Sequence, residues 1–109
     1  MQLFHAAASP FVRKVMVVLH ETGQLSDVDI VPAIGHPLAA SDMPVAHNPL
    51  GKIPTLQRAD GPALYDSRVI CQFLDHRAGG SLYPEARRFE AMTLEATADG
   101  IMDAAVLMV

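Results

Sequence analysis

Gln2-Leu3-Phe4-His5-Ala6-Ala7-Ala8-Ser9-Pro10-Phe11-Val12-Arg13-Lys14-Val15-Met16 is the stretch on which the fold turns. Gln2 to His5 reads as a short strand, and the small residues Ala6 to Ala8 follow it. Ser9-Pro10 then offers an N-cap with proline at the first helical position, where a missing N–H costs nothing. Phe11, Val15, Val18 and Leu19 recur at helical spacing, with Val12 and Met16 beside them, and Gly23 supplies the stop. A strand feeding a helix through so short a turn is the opening of a βαβ unit.

Working outward, Val28, Ile30 and Pro32 give a second strand with aspartates between the apolar residues. Residues 35–48 carry two histidines, two prolines and several alanines, a pattern that predicts a loop with at most one turn of helix. Asn48-Pro49-Leu50-Gly51 has the residues of a type I turn. Thr55 to Arg58 and Ala63 to Tyr65 read as two strands joined through Ala59-Asp60-Gly61-Pro62. Asp66-Ser67 opens another helix with Ile70, Phe73 and Leu74 on its inner face, and a long helix runs from Glu85. The element order predicts an α/β sandwich of thioredoxin type, βαβ-α-ββα, followed by the start of an all-α domain. Residues 1–78 form the first domain, the Gly- and Pro-punctuated 79–84 a linker, and 85–109 the first helix of a truncated second domain.

Composition narrows the function classes. The 109 residues are 50% apolar with a formal charge of −4, too apolar for a disordered segment and too acidic for general binding to a nucleic-acid backbone. The longest unbroken apolar run, the six residues Ala104 to Val109, falls far short of the roughly 20 that span a bilayer. A single cysteine, Cys71, excludes an internal disulfide framework and a four-cysteine zinc site. The five histidines lack zinc-type spacing, so no metal is expected. No secretory leader precedes the first strand, and the expectation is a soluble, cytoplasmic chain without membrane or nucleic-acid partners. The apolar, methionine-bearing end, Ile101 to Val109, is read as a piece of a larger body or as an interface, with a homodimer expected.

Four places invite chemistry. Ser9 stands at a strand-to-helix turn, where a hydroxyl and backbone N–H groups can stabilise a thiolate; simple capping is the plainer reading. Asp66 and Ser67 stand at a second helix start, fit to bind an ammonium and a carboxylate, or again only to cap. A cis bond at Ile53-Pro54 would leave the Ile53 backbone free for an extended, peptide-like ligand. Glu95, Asp99 and Asp103, spaced four apart, form an acidic stripe that is either solvated or meets a cation such as a ligand amine or Arg68 across a subunit interface. Cys71 reads as a buried, inert thiol and Met92, Met102 and Met108 as packing residues.

Ser9-Pro10-Phe11-Val12-Arg13-Lys14-Val15, Asn48-Pro49-Leu50-Gly51-Lys52-Ile53-Pro54-Thr55-Leu56 and Asp66-Ser67-Arg68-Val69-Ile70, in this order, resemble the glutathione S-transferase family in its soluble bacterial-type members. The resemblance covers residues 1 to about 78. It implies glutathione as co-substrate, with Ser9 hydrogen-bonded to its sulfur, Ile53 and cis Pro54 pairing with its cysteinyl part, and Asp66 and Ser67 holding the γ-glutamyl amine and carboxylate. It also implies Lys52 near the glycyl end, and Asp99 or Asp103 reaching the amine from a neighbouring subunit. The implied reaction is attack of bound thiolate on a small hydrophobic electrophile, in a detoxification role. A non-catalytic relative that binds a protein partner, and a glutathione-dependent isomerase or dehalogenase, are the alternatives. Ser9 stands where some relatives carry cysteine, which disfavours disulfide chemistry, and Asp66 stands where the longer glutamate is commoner.

Overall fold

The computed structural model describes residues 1–33 and 52–107. Strand β1 (Gln2–His5) leads into helix α1 (Pro10–Glu21), and a 3-10 turn at Leu25–Asp27 leads into β2 (Asp29–Pro32). Strand β3 (Thr55–Gln57) precedes helix α2 (Ser67–Arg77), and after a 3-10 turn at Glu85–Arg87 comes α3 (Arg88–Leu107). The expected turn at Asn48–Gly51 and the weak stretch before it lie outside the described residues, as do Met108 and Val109.

β1 is the middle strand, in the order β2-β1-β3. It pairs parallel with β2, Gln2 against Asp29 and His5 against Pro32, and antiparallel with β3, Gln2 against Gln57 and Phe4 against Thr55. The parallel pair needs a crossover, and α1 supplies it. Leu3 and its β3 partner Leu56 are both fully buried, and with Val15, Leu19, Val28, Ile70, Cys71 and Leu74 they form one core between sheet and helices.

Three expectations are corrected in detail. Val12, Val15 and Leu19 form the buried line of α1, while Phe11 and Val18 flank it half-buried. Ile30, although paired with the buried Leu3, is 40% exposed, because β2 is an edge strand with a neighbour on one side only. Ala63 to Tyr65 does not extend into a strand: one antiparallel bridge, Leu56 with Leu64, closes with N–H···O bonds of 2.9 and 2.8 Å. The run is only three residues between Pro62, which has no N–H, and the helix start at Asp66, so a longer ladder has no room.

The helix ends follow from local chemistry. Gly23, at φ +69°, ends α1; Gly79 and Gly80, at φ +110° and +81°, end α2, and the Gly80 N–H returns to the Asp75 carbonyl at 2.8 Å. The carboxylate of Asp75, a residue only 4% exposed, then accepts the backbone N–H groups of Leu82 and Tyr83 at 2.8 and 3.2 Å. The connection between α2 and α3 is thereby tied to the core.

α3 turns a different face to its surroundings. Its one buried residue is Asp99, whereas Phe89 is 80% and Leu107 86% exposed, with Leu94 and Ile101 also open. Among the described residues no helix is long and apolar enough to cross a membrane.

Candidate functional site at the carboxyl end of the central strand

The sheet register decides what meets at this end. β1 runs up to His5, and the chain turns at once into α1, so Ser9 sits just beyond the strand's carboxyl end. β3 runs the opposite way, with Thr55 opposite Phe4, so residues 53 and 54 arrive at that same end. Leu64 opposite Leu56, again antiparallel, carries the chain back up to Asp66 and the start of α2. Ser9, Ile53-Pro54 and Asp66-Ser67, from three separate stretches, are gathered at one edge of the fold.

Each group has defined local geometry. The Ser9 Oγ accepts the Val12 N–H at 3.2 Å, and the residue is half-buried. Capping uses an oxygen lone pair and leaves the hydroxyl proton available, so capping and donation to an incoming anion are compatible. The Ile53–Pro54 bond is cis, as is Tyr65–Asp66. Lys52 is exposed, and its carbonyl accepts the Thr55 hydroxyl at 2.8 Å.

Asp66 caps α2, its Oδ1 accepting the Arg68 N–H at 3.0 Å, while Arg68 returns its guanidinium to the same carboxylate at 2.9 and 3.3 Å. The Arg68 side chain holds the Asp66 carboxyl below the usual carboxylate range, and the pairing raises Arg68 in turn. An anion at a helix N-terminus lies at the favourable end of the helix dipole.

The acidic stripe divides. Glu95 and Asp99 turn inward, while Asp103 is exposed. Their cation is Lys14, whose Nζ lies 2.9 Å from Glu95 Oε2 and 2.9 and 3.1 Å from the two Asp99 oxygens. The same ammonium donates to Ser67 Oγ at 3.2 Å. Arg68 also stands 3.9 Å from Asp99, within the one chain rather than across an interface. Burial opposes the charge on Lys14, but Asp99 and Glu95 outweigh it and hold the ammonium above its ordinary value. Sequence reasoning assigned Lys14 no role. The signal was the pair of like charges at i, i+4, which needs a cation, and α1 offers one on the face next to α2.

Tyr83 donates to Glu95 at 2.6 Å, and burial followed by that bond pushes its hydroxyl pKa up. Cys71 is fully buried, and burial pushes its thiol up to about 12. A thiol so placed is protonated at neutral pH and inert as a nucleophile. Among the described residues no three His, Cys, Asp or Glu side chains could hold a metal ion.

Comparison with known proteins bears on the family and the fold. The family described as "Glutathione S-transferase, N-terminal domain" matches residues 8–77. A solved glutathione transferase family member from Pseudomonas fluorescens Pf-5, with bound glutathione, is 51% identical over 97% of this chain and 53% of its own, with a TM-score of 0.88. A glutathione S-transferase from Methylobacillus flagellatus, solved with glutathione bound, is 45% identical over 96% of this chain and 52% of its own, at a TM-score of 0.83. The uncharacterized GST-like protein YibF of Escherichia coli K12 is 31% identical over the whole of this chain and 54% of its own length. The chain thus spans about half the length of these relatives. The α/β, thioredoxin-like arrangement read from the element order is the fold they share. On its sequence match and its fold together, the chain belongs to the glutathione S-transferase family and carries that family's N-terminal domain.

Proposed function

We propose that this protein binds glutathione at the carboxyl end of β1 and activates its thiolate for attack on a small hydrophobic electrophile. The observation that carries the reading is the convergence there of two side-chain-capped helix N-termini, at Ser9 and at Asp66, with the start of β3. A zwitterionic tripeptide has an anion for each helix end and a backbone for the strand.

In this reading Ser9 is the catalytic residue. Its hydroxyl donates to the glutathione sulfur, and the N–H groups of α1 add positive potential, so more of the thiol is ionised at neutral pH. The backbone of Ile53, before cis Pro54, pairs with the cysteinyl unit. Asp66, kept anionic by Arg68, takes the γ-glutamyl amine, and Ser67 with the N–H groups of α2 takes the carboxylate. Lys52 is assigned to the glycyl carboxylate. The thiolate sulfur forms the new carbon–sulfur bond, and the electrophile loses a leaving group or gains a proton at the adjacent atom. No metal is needed for this chemistry.

The relatives' greater length and the open apolar face of α3, with Phe89, Leu94, Ile101 and Leu107, support a second helical layer and a homodimer. Asp103, which is exposed, is the acid assigned to a neighbouring subunit's glutathione amine, because Asp99 is buried and held by Lys14 of its own chain. A cytoplasmic, detoxifying role fits the same reading.

Calorimetric titration of glutathione into the full-length protein tests it. Saturable binding that weakens about tenfold or more in Ser67→Ala and Asp66→Ala is expected, from loss of a hydrogen bond to a charged group. Conjugation of a chromogenic electrophile should fall in Ser9→Ala. A folded full-length protein that takes up no glutathione overturns the proposal and transfers the reading to a protein-binding relative. Sedimentation showing only monomer at high concentration removes the dimer.

A further inference from the structure

We propose that Lys14 is a positioning residue for glutathione. It fixes the direction in which the Ser67 hydroxyl donates, and it draws its own position from the acidic pair on α3. The inference rests on the glutathione reading above and concerns a residue that reading does not use.

An ammonium has three N–H donors, and Lys14 has partners for all three: Asp99, Glu95 and Ser67 Oγ. It therefore keeps one orientation. The side chains of Lys14, Glu95 and Asp99 are 17%, 10% and 9% exposed, so solvent screens this arrangement only weakly. Ser67, 2% exposed, receives the ammonium on an oxygen lone pair.

A serine hydroxyl has one proton and two lone pairs. With one lone pair committed to Nζ, the proton has to point away from Lys14, and among the described residues it meets no acceptor. Accepting from a cation also polarises the O–H bond and makes it a stronger donor. The group is thus set in advance to donate to a carboxylate at the start of α2, where the helix N–H groups already favour one. Without Lys14 the hydroxyl is free to rotate and to cap locally, which competes with the ligand.

Lys14 also links two parts of the chain, because its anchors Glu95 and Asp99 belong to α3 whereas Ser67 begins α2. The glutathione site is complete only when α3 is docked against α1. That dependence makes the helix after the linker part of the ligand's recognition, even though the three motifs all precede it.

The test is a comparison of two ligands on each variant of the full-length protein: glutathione, and γ-aminobutyryl-cysteinyl-glycine, which lacks only the γ-glutamyl carboxylate. The wild-type protein should prefer glutathione. In Lys14→Met that preference should shrink about tenfold, the worth of one hydrogen bond to a charged group, and Lys14→Arg should restore part of it. In a Ser67→Ala background the same Lys14→Met change should alter the preference less than twofold. A purely structural lysine would weaken both ligands equally and leave the ratio unchanged, which overturns the inference. Lys14→Met alone strands two buried carboxylates, so Lys14→Met/Glu95→Gln/Asp99→Asn serves if the single variant does not fold; an undiminished preference there is equally fatal. A folded wild-type protein that binds neither ligand sinks the glutathione reading itself, whereas binding with an unaltered ratio sinks only the role of Lys14.

Discussion

Asp75→Ala is a sharp test of how the two parts of the chain are joined. The residue is 4% exposed, and its carboxylate accepts two backbone N–H groups, from Leu82 at 2.8 Å and Tyr83 at 3.2 Å. A hydrogen bond to a charged group contributes about 1.5–3 kcal/mol, and removing the acceptor also strands its donors. The longer bond lies at the weak end of the normal range. Burial of the carboxylate with N–H partners rather than a cation offsets part of the gain. The net loss expected on removal is about 2–3 kcal/mol, which for a domain of this size lowers the melting temperature by about 10–20 °C. Urea denaturation followed by circular dichroism gives the free energy, and limited proteolysis reports whether residues 79–84 become the first point of cleavage. Asp75→Asn, which keeps one acceptor oxygen, should lose about half as much. An Asp75→Ala protein within about 0.5 kcal/mol of wild type, with unchanged cleavage, would refute the clasp.

Three further outcomes are expected. Cys71 should resist a thiol-specific disulfide reagent at pH 8 in the folded protein and react promptly in denaturant, because burial holds its thiol up to about 12; rapid native-state labelling would contradict this. Stability should fall above about pH 9, seen as a declining urea midpoint. The unfolded thiol ionises near its ordinary 9.0 while the folded one waits until about 12, so in that window the unfolded state binds fewer protons. Lys14, raised above 10.5, contributes in the same direction, fully below that value and less as pH rises through its folded one. Ser9→Ala should cost about 1 kcal/mol as a lost N-cap, and Ser9→Gly only a few tenths, read from thermal unfolding. Equal losses would mean that the Val12 bond contributes little.

The strands and helices of residues 1–33 were legible because their signals are local: Ser9-Pro10 before an apolar repeat, and Gly23 after it. α2 was legible for the same reason, with Asp66 as cap and glycines beyond Arg77. The short hairpin was overread, because alternation over three residues says nothing about the room left between Pro62 and Asp66. The site motifs showed at the level of residue type, but only the register of β1 against β3 and the Leu56–Leu64 bridge brings them to one end. Lys14 escaped notice because its partners lie 53 and 85 positions away, beyond any local pattern. The direction of Glu95 and Asp99 was hidden for the same reason: the stripe is visible on α3, but what it faces is set by α1.

The middle position of β1 has a consequence for assembly. Its pairing with β2 closes across 27 residues, Gln2 to Asp29, and α1 fills the gap, so that unit can form early. Its other edge stays open until Gln57 has been made, since β3 is the only described strand that covers it. An uncovered strand edge in the middle of a sheet is an invitation to any extended chain. The segment between β2 and β3 is accordingly the natural place for a two-piece version of this domain. A first fragment ending after Ala33 would expose a waiting edge, and a second beginning before Lys52 would bring β3, α2 and the acids of α3 to it. Such halves should recognise each other through backbone pairing at β1 and through the ammonium of one meeting the carboxylates of the other.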